Sequence, residues 1–315
     1  MVSEALGRVT GCRLCPRECR ADRAKGELGY CRMPMEPYAA RAALHHWEEP
    51  CISGTKGSGA VFFSGCTLRC VYCQNQKIAE GTFGERVSEE RLSEIFLELE
   101  EQGAHNLNLV TAGHFLPSVI EALRRAKARG LHIPVVYNTG GYEKVSSLRG
   151  LEGLVDIWLP DYKYESRYLA GRYSHAPDYP VQVKKAVEEM VRQAGAPVFD
   201  AVGLLQRGVI VRHLVLPGCV SDSKDVLEVL HDAWGDRIWV SILNQYTPLP
   251  HVRAYPELSR RVTGEEYEEV VDYALFLGMR QVYIQQGDCA KERFIPAFDG
   301  QGIKKETKTP PDAGI

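Results

Sequence analysis

Downstream of residue 58 the chain alternates between short apolar runs and longer stretches whose apolar positions recur at helical spacing. The runs are Ala60–Phe63, Asn106–Thr111, Ile133–Asn138, Val155–Leu159, Gly208–Val215, Arg237–Leu243 and Gln281–Ile284. Each has strand length and is bounded by polar or turn residues. Between them the pattern predicts helices from Ser88 to near Gly103, from Leu116 to Arg129, after Tyr142, from Val181 to Gln193, from about Asp222, and after Thr263. The first opens with acidic residues in its first turn, and Thr263-Gly264-Glu265-Glu266 has the form of a capping box.

Strands separated by helices imply right-handed crossovers and a parallel sheet, so the expected fold is α/β, a partial TIM-like (β/α)6 barrel. Ahead of it lies a cysteine-rich, metal-binding N-terminal extension. We assign residues 1–50 to that extension, 51–300 to the barrel, and 301–315 to a polar, proline-bearing flexible tail.

Two groups of cysteines punctuate this pattern. Cys66-x3-Cys70-x2-Cys73 follows the first apolar run, which places three thiols on a loop at a strand end. Three thiolates suit soft metal chemistry, and an iron-sulfur cubane held by three protein ligands keeps one iron open. The second group is Cys12-x2-Cys15-x3-Cys19-x11-Cys31, in a segment too short and polar to build its own core. Four cysteines there fit structural zinc or an auxiliary iron-sulfur cluster, and the spacing does not choose between them.

Other motifs weigh less. In Ala42–Cys51 the neighbouring His45-His46 and Glu48-Glu49 lack a metal-ligand spacing, which favours packing or surface roles. Gly54–Gly59 lacks the terminal G-K-[ST] of a phosphate loop and precedes a strand instead of following one, so it reads as a turn. His213, Cys219 and Cys289 lie at or just past strands, where they could pack or face a site.

Composition narrows the class. The 315 residues are 44% hydrophobic and 25% charged with a formal charge of −3, which gives no electrostatic argument for nucleic acid or membrane partners. No stretch reads as a signal peptide or membrane span, and the expected location is the cytoplasm.

In parallel α/β folds, sites form at the carboxyl ends of strands. Those ends carry Cys66, Thr111-Ala112-Gly113-His114, Asn138, Asp161-Tyr162-Lys163, Arg212 and Gln245. The Ala112-Gly113 turn would let carbonyls approach an ammonium group. Lys163, Arg212 and Gln245 could hold a carboxylate, and Asn138 or Asp161 could bind ribose hydroxyls.

Cys66-x3-Cys70-x2-Cys73, with Tyr72 before the last cysteine, resembles the radical S-adenosylmethionine (SAM) motif. More narrowly, residues 12 to 290 resemble the pyruvate formate-lyase activating enzyme-like branch, among its members with an N-terminal cysteine motif. The resemblance implies that Cys66, Cys70 and Cys73 hold a [4Fe-4S] cluster whose open iron is chelated by SAM. It also implies an oxidoreductase that cleaves SAM reductively, generating a 5′-deoxyadenosyl radical for hydrogen abstraction. Asp161-x-Lys163 is similar to a SAM-binding pair of activating enzymes, whereas Thr111–His114 lacks the glutamate of their G-G-E-P turn. Implied cofactor contacts are Tyr72, Ala112, Gly113, His114, Asn138, Asp161, Lys163, Arg212 and Gln245. Implied partners are a one-electron donor such as flavodoxin or ferredoxin and, for an activase, a glycyl radical protein. Another peptide, a metabolite or RNA is the alternative substrate, and a non-catalytic zinc or RNA-binding protein the alternative class.

Overall fold

The computed structural model describes residues 11–285 and 296–305. Seven strands run parallel and pair in chain order: β2 (Ser58–Phe63), β4 (Leu107–Val110), β5 (Val135–Thr139), β6 (Ile157–Pro160), β8 (Leu205–Leu214), β9 (Trp239–Leu243) and β10 (Val282–Ile284). Sequential pairing without a switch in strand order is the barrel pattern rather than the doubly wound one. Among the described residues β2 and β10 do not pair, so the barrel is unclosed.

The helices form where the sequence supplies starts and apolar faces. Ser88 caps Glu89–Glu101 by accepting from Arg91 N, and Leu92, Ile95, Phe96 and Leu99 turn its apolar stripe inward. Helix Gly264–Phe276 carries the capping box expected at Thr263 and Glu266. Helices Leu116–Ala128, Tyr179–Ala194 and Val220–Trp234 fall where the periodicity predicts them.

The sheet extends beyond the pattern read from sequence. β1 (Tyr38–His45) pairs antiparallel with β2 and with the short β3 (Glu85–Arg86), so part of the N-terminal segment belongs to the sheet. β7 (Val198–Phe199) forms an antiparallel ladder with β8. Helix Arg167–Ser174 is a further addition, started by Ser166, whose side chain accepts from Leu169 N.

Two apolar layers fix the site's height inside the barrel. Outer faces of the strands pack against the helices. On the inner face, Val136, Ile157, Leu159 and Ile210 surround Cys51 and Ile52 of the short helix Pro50–Ser53, which plugs the amino-terminal half. Side chains two residues apart share a strand face. Asn138 therefore lies above Val136 and Arg212 above Ile210, at the carboxyl end.

Candidate active site at the strand ends

The loop leaving β2 turns at Gly65, where φ is +83° and an added Cβ would stand 2.6 Å from Cys31 O. Only glycine fits that approach, and it delivers Cys66 over the barrel mouth. Leu68 N donates to Cys66 Sγ at 3.4 Å, and Ser174 Oγ donates to Cys70 Sγ at 2.9 Å. Burial pushes the Cys70 thiol up, opposed by the Lys163 cation, and burial also raises Cys73. Tyr72 lies within an aromatic group of Tyr164, Tyr173 and Tyr246, and Tyr164 OH donates to Tyr72 OH at 2.6 Å.

One cavity of about 390 Å³ gathers Cys66, Cys70, Tyr72, Cys73, Asn138, Asp161, Lys163, Arg212 and Gln245 on its wall, together with Thr111, Thr139 and Gly140. These come from six different strand ends. Thr111 holds φ at +60°, a left-handed conformation unusual for a β-branched residue, while its N donates to Asn138 O. Such strain tends to persist where the surrounding site over-determines the backbone.

Charges on the wall are paired before any ligand arrives. Lys163 Nζ reaches Asp161 Oδ2 at 2.6 Å, and Arg212 Nε donates to Asp161 Oδ1 at 3.0 Å. Burial alone would raise Asp161, but Lys163 and Arg212 outweigh it and hold the carboxyl below its usual range. Arg212 also donates to Asn138 Oδ1 at 2.6 Å and to Glu48 Oε2 at 3.0 Å.

Glu48 is a charged wall residue to which the sequence pattern assigned only a packing or surface role. Its other oxygen accepts from Asn108 Nδ2 at 3.1 Å and Asn138 Nδ2 at 3.2 Å. The chain reverses after β1 and carries Glu48 into the barrel, a reversal that neither spacing nor periodicity announces. Burial raises the adjacent Glu49, whose Oε2 has no hydrogen-bond partner.

Three expected contacts lie elsewhere. Ala112, Gly113 and His114 are buried and absent from the cavity wall. The His114 ring turns beneath the cysteine loop, with Nε2 2.7 Å from Ser64 O, and burial beside Arg23 lowers it to about 3. Behind Gly113 sits Glu143, 4% exposed, which accepts from Thr139 Oγ1 at 2.6 Å and from Tyr137 OH at 3.3 Å. Of the ambiguous residues, His213 is a packed histidine bonded to Tyr162 O and Ser223 Oγ. Cys219 precedes helix Val220–Trp234, off the cavity wall, and Cys289 lies outside the described residues.

Three thiols of one loop on one cavity wall are a donor set that suits an iron-sulfur cluster. Among the described residues no three Cys, His, Asp or Glu side chains gather so as to hold a single metal ion. A cubane brings several irons and spreads its thiolates over separate corners, so three cysteines on one wall suit it. Among the described residues no helix is long and apolar enough to cross a membrane.

Residues 60–162 match the family model described as the radical SAM superfamily. An uncharacterised protein of Methanocaldococcus jannaschii is 26% identical over 279 residues, covering 86% of this chain and 76% of its own length. A domain of pyruvate-formate lyase-activating enzyme from Bacteroides vulgatus aligns at 11% identity and a TM-score of 0.39, over 54% of this chain and 91% of that one. SuiB of Streptococcus suis bound to S-adenosylmethionine aligns at 11% identity and 0.46, over 71% of this chain. The chain spans about half of SuiB, covering 48% of its length. The matched stretch contains the whole cysteine loop and runs through β6 to the residue between Asp161 and Lys163, so the similarity to the radical SAM superfamily falls on the part of the chain that carries the three thiols.

Proposed function

We propose that this chain is a radical SAM enzyme in which Cys66, Cys70 and Cys73 hold a [4Fe-4S] cluster, with SAM bound along the wall formed by Asn138, Asp161, Lys163 and Arg212. The observation that carries it is the meeting of three thiols with the Lys163-Asp161-Arg212 ion network in one cavity. When bound, cluster and SAM together supply one-electron cleavage of a carbon–sulfur bond and a 5′-deoxyadenosyl radical that removes a hydrogen atom.

The side chains contribute placement. Lys163 can exchange its bond to Asp161 for a ligand carboxylate, and the freed Asp161 oxygen can accept a ribose hydroxyl. Arg212 and Glu48 keep Asn138 oriented from below. The apolar plug at Cys51 and Ile52 closes the amino-terminal half of the barrel to water.

For the substrate we favour a glycine Cα of a partner protein, as in activation of a glycyl radical enzyme, because Asp161-x-Lys163 resembles the pair of activating enzymes. The Thr111–His114 turn, which has no glutamate, favours a second reading in which another peptide, a metabolite or RNA is modified. Electron paramagnetic resonance of a co-purified partner, after anaerobic incubation with SAM and reductant, decides between them. A glycyl radical doublet is expected, and deoxyadenosine formation without any protein-borne radical contradicts the activase reading.

A further inference from the structure

We propose that Cys12, Cys15, Cys19 and Cys31 form a second iron-sulfur site through which electrons enter the site of Cys66, Cys70 and Cys73. The proposal rests on the radical SAM reading above and adds to it the route of reduction.

The four cysteines are drawn together by a lobe with almost no regular structure. From Gly11 to Met35 the described chain contains one short 3-10 turn, Arg23–Lys25, and doubles back so that Cys12 N donates to Ala21 O and Arg20 N to Cys12 O. A Cβ on Gly29 would stand 3.2 Å from Cys31 Sγ and 3.5 Å from Cys19 Sγ. Arg23 Nη1 lies 3.6 Å from Cys12 Sγ, and Cys15 is within electrostatic reach of both Cys12 and Cys31. None of the four is in a disulfide.

A second observation says what charge this centre awaits. Arg23 is 2% exposed, yet its hydrogen-bond partners are Met33 O, His114 O, Pro34 O and Cys12 Sγ, with no carboxylate among the described residues. A buried guanidinium is costly without an anionic partner. Four thiolates around a cluster supply one, since their charge exceeds that of the iron-sulfide core.

Position makes the site a conduit. Cys31 O touches Gly65, the residue before Cys66. Arg17 Nε donates to Thr67 O at 2.8 Å and Nη2 to Ser174 O at 2.9 Å, and Ser174 is the residue bonded to Cys70 Sγ. Cys31 thus packs against the residue next to Cys66, and Arg17, two residues from both Cys15 and Cys19, reaches Cys70 through Ser174.

The outward side suits a donor. Cys19 is exposed, and so are Arg13, Arg20 and Arg32, none with an ion-pair partner among the described residues. A cationic patch on a chain of formal charge −3 fits an acidic one-electron carrier such as flavodoxin or ferredoxin. The carrier is oxidised by one electron, the second site is reduced by one and reoxidised on passing it inward, and no bond forms or breaks.

The test loads full-length protein anaerobically with iron(II) and sulfide. Wild type should hold about eight irons, and the triple variant C66S/C70S/C73S about four, taking four per cubane. That variant should still give a reduced-cluster resonance signal that SAM does not alter. One zinc per chain with no sulfide in the triple variant overturns the proposal while leaving the radical SAM reading intact. R13E/R20E/R32E, altered only on the surface, addresses the route. The ratio of carrier-driven to dithionite-driven deoxyadenosine formation should fall at least tenfold, and an unchanged ratio overturns entry at this lobe. Loss of deoxyadenosine from wild type under dithionite, with both iron sites filled, counts against the radical SAM reading instead.

Discussion

Glu48→Ala removes the carboxylate that ties the barrel mouth together from beneath. Three hydrogen bonds end on it, from Asn108, Asn138 and Arg212, at 3.1, 3.2 and 3.0 Å. Its side chain is 8% exposed and that of Arg212 is 14% exposed. All three end on an ionised carboxylate, and a hydrogen bond to a charged group is worth about 1.5–3 kcal/mol. Breaking a buried ion pair costs about 3–5 kcal/mol, but Arg212 keeps Asp161 as a partner, so the lower end applies. We expect a loss of about 3 kcal/mol in urea unfolding of the cofactor-free protein. The pairing term is isolated by a double-mutant cycle with Arg212→Met, where removing both charges should cost less than the sum by about 1–2 kcal/mol. A Glu48→Ala loss under about 0.5 kcal/mol, or strict additivity in the cycle, would refute the network.

Two further predictions concern the supports of the site. His213 is neutral in the fold: Tyr162 O can only accept, so Nδ1 carries the proton and Nε2 accepts from Ser223. Burial lowers it to about 4, so the unfolded chain binds the extra proton first, and the stability it confers is full above about pH 6.5 and lost as pH falls toward 4. His213→Gln should flatten that limb of the stability profile, and an unchanged slope would contradict it. Gly113→Ala should cost about 1–3 kcal/mol, because the new methyl would stand 2.6 Å from the buried Glu143 Oε1. Glu143→Ala should relieve that clash, and a Gly113→Ala protein as stable as wild type would show the packing is loose.

Much of this fold was legible because its signals are local. Apolar runs of strand length, the Ser88 cap and the Thr263 capping box each act within a few residues, and the cysteine spacing marks its loop directly. β1 escaped because Tyr38-Ala39-Ala40-Arg41-Ala42-Ala43-Leu44-His45 has no β-branched residue, and its strand state is imposed by pairing with β2 and β3. Glu48 escaped for the same reason, since its burial depends on where β1 ends. The strand-end rule brought Asn138, Asp161, Lys163, Arg212 and Gln245 to one wall. It does not say which way a turn faces, and at Ala112, Gly113 and His114 the packing beneath the cysteine loop decided that.

The central claim is that Cys66, Cys70 and Cys73 hold the cluster that cleaves SAM. Its most direct test is 5′-deoxyadenosine formation from SAM by anaerobically reconstituted, dithionite-reduced protein, comparing wild type with Cys70→Ala. Wild type should release deoxyadenosine and Cys70→Ala none, whereas deoxyadenosine formed equally by both proteins would contradict the account.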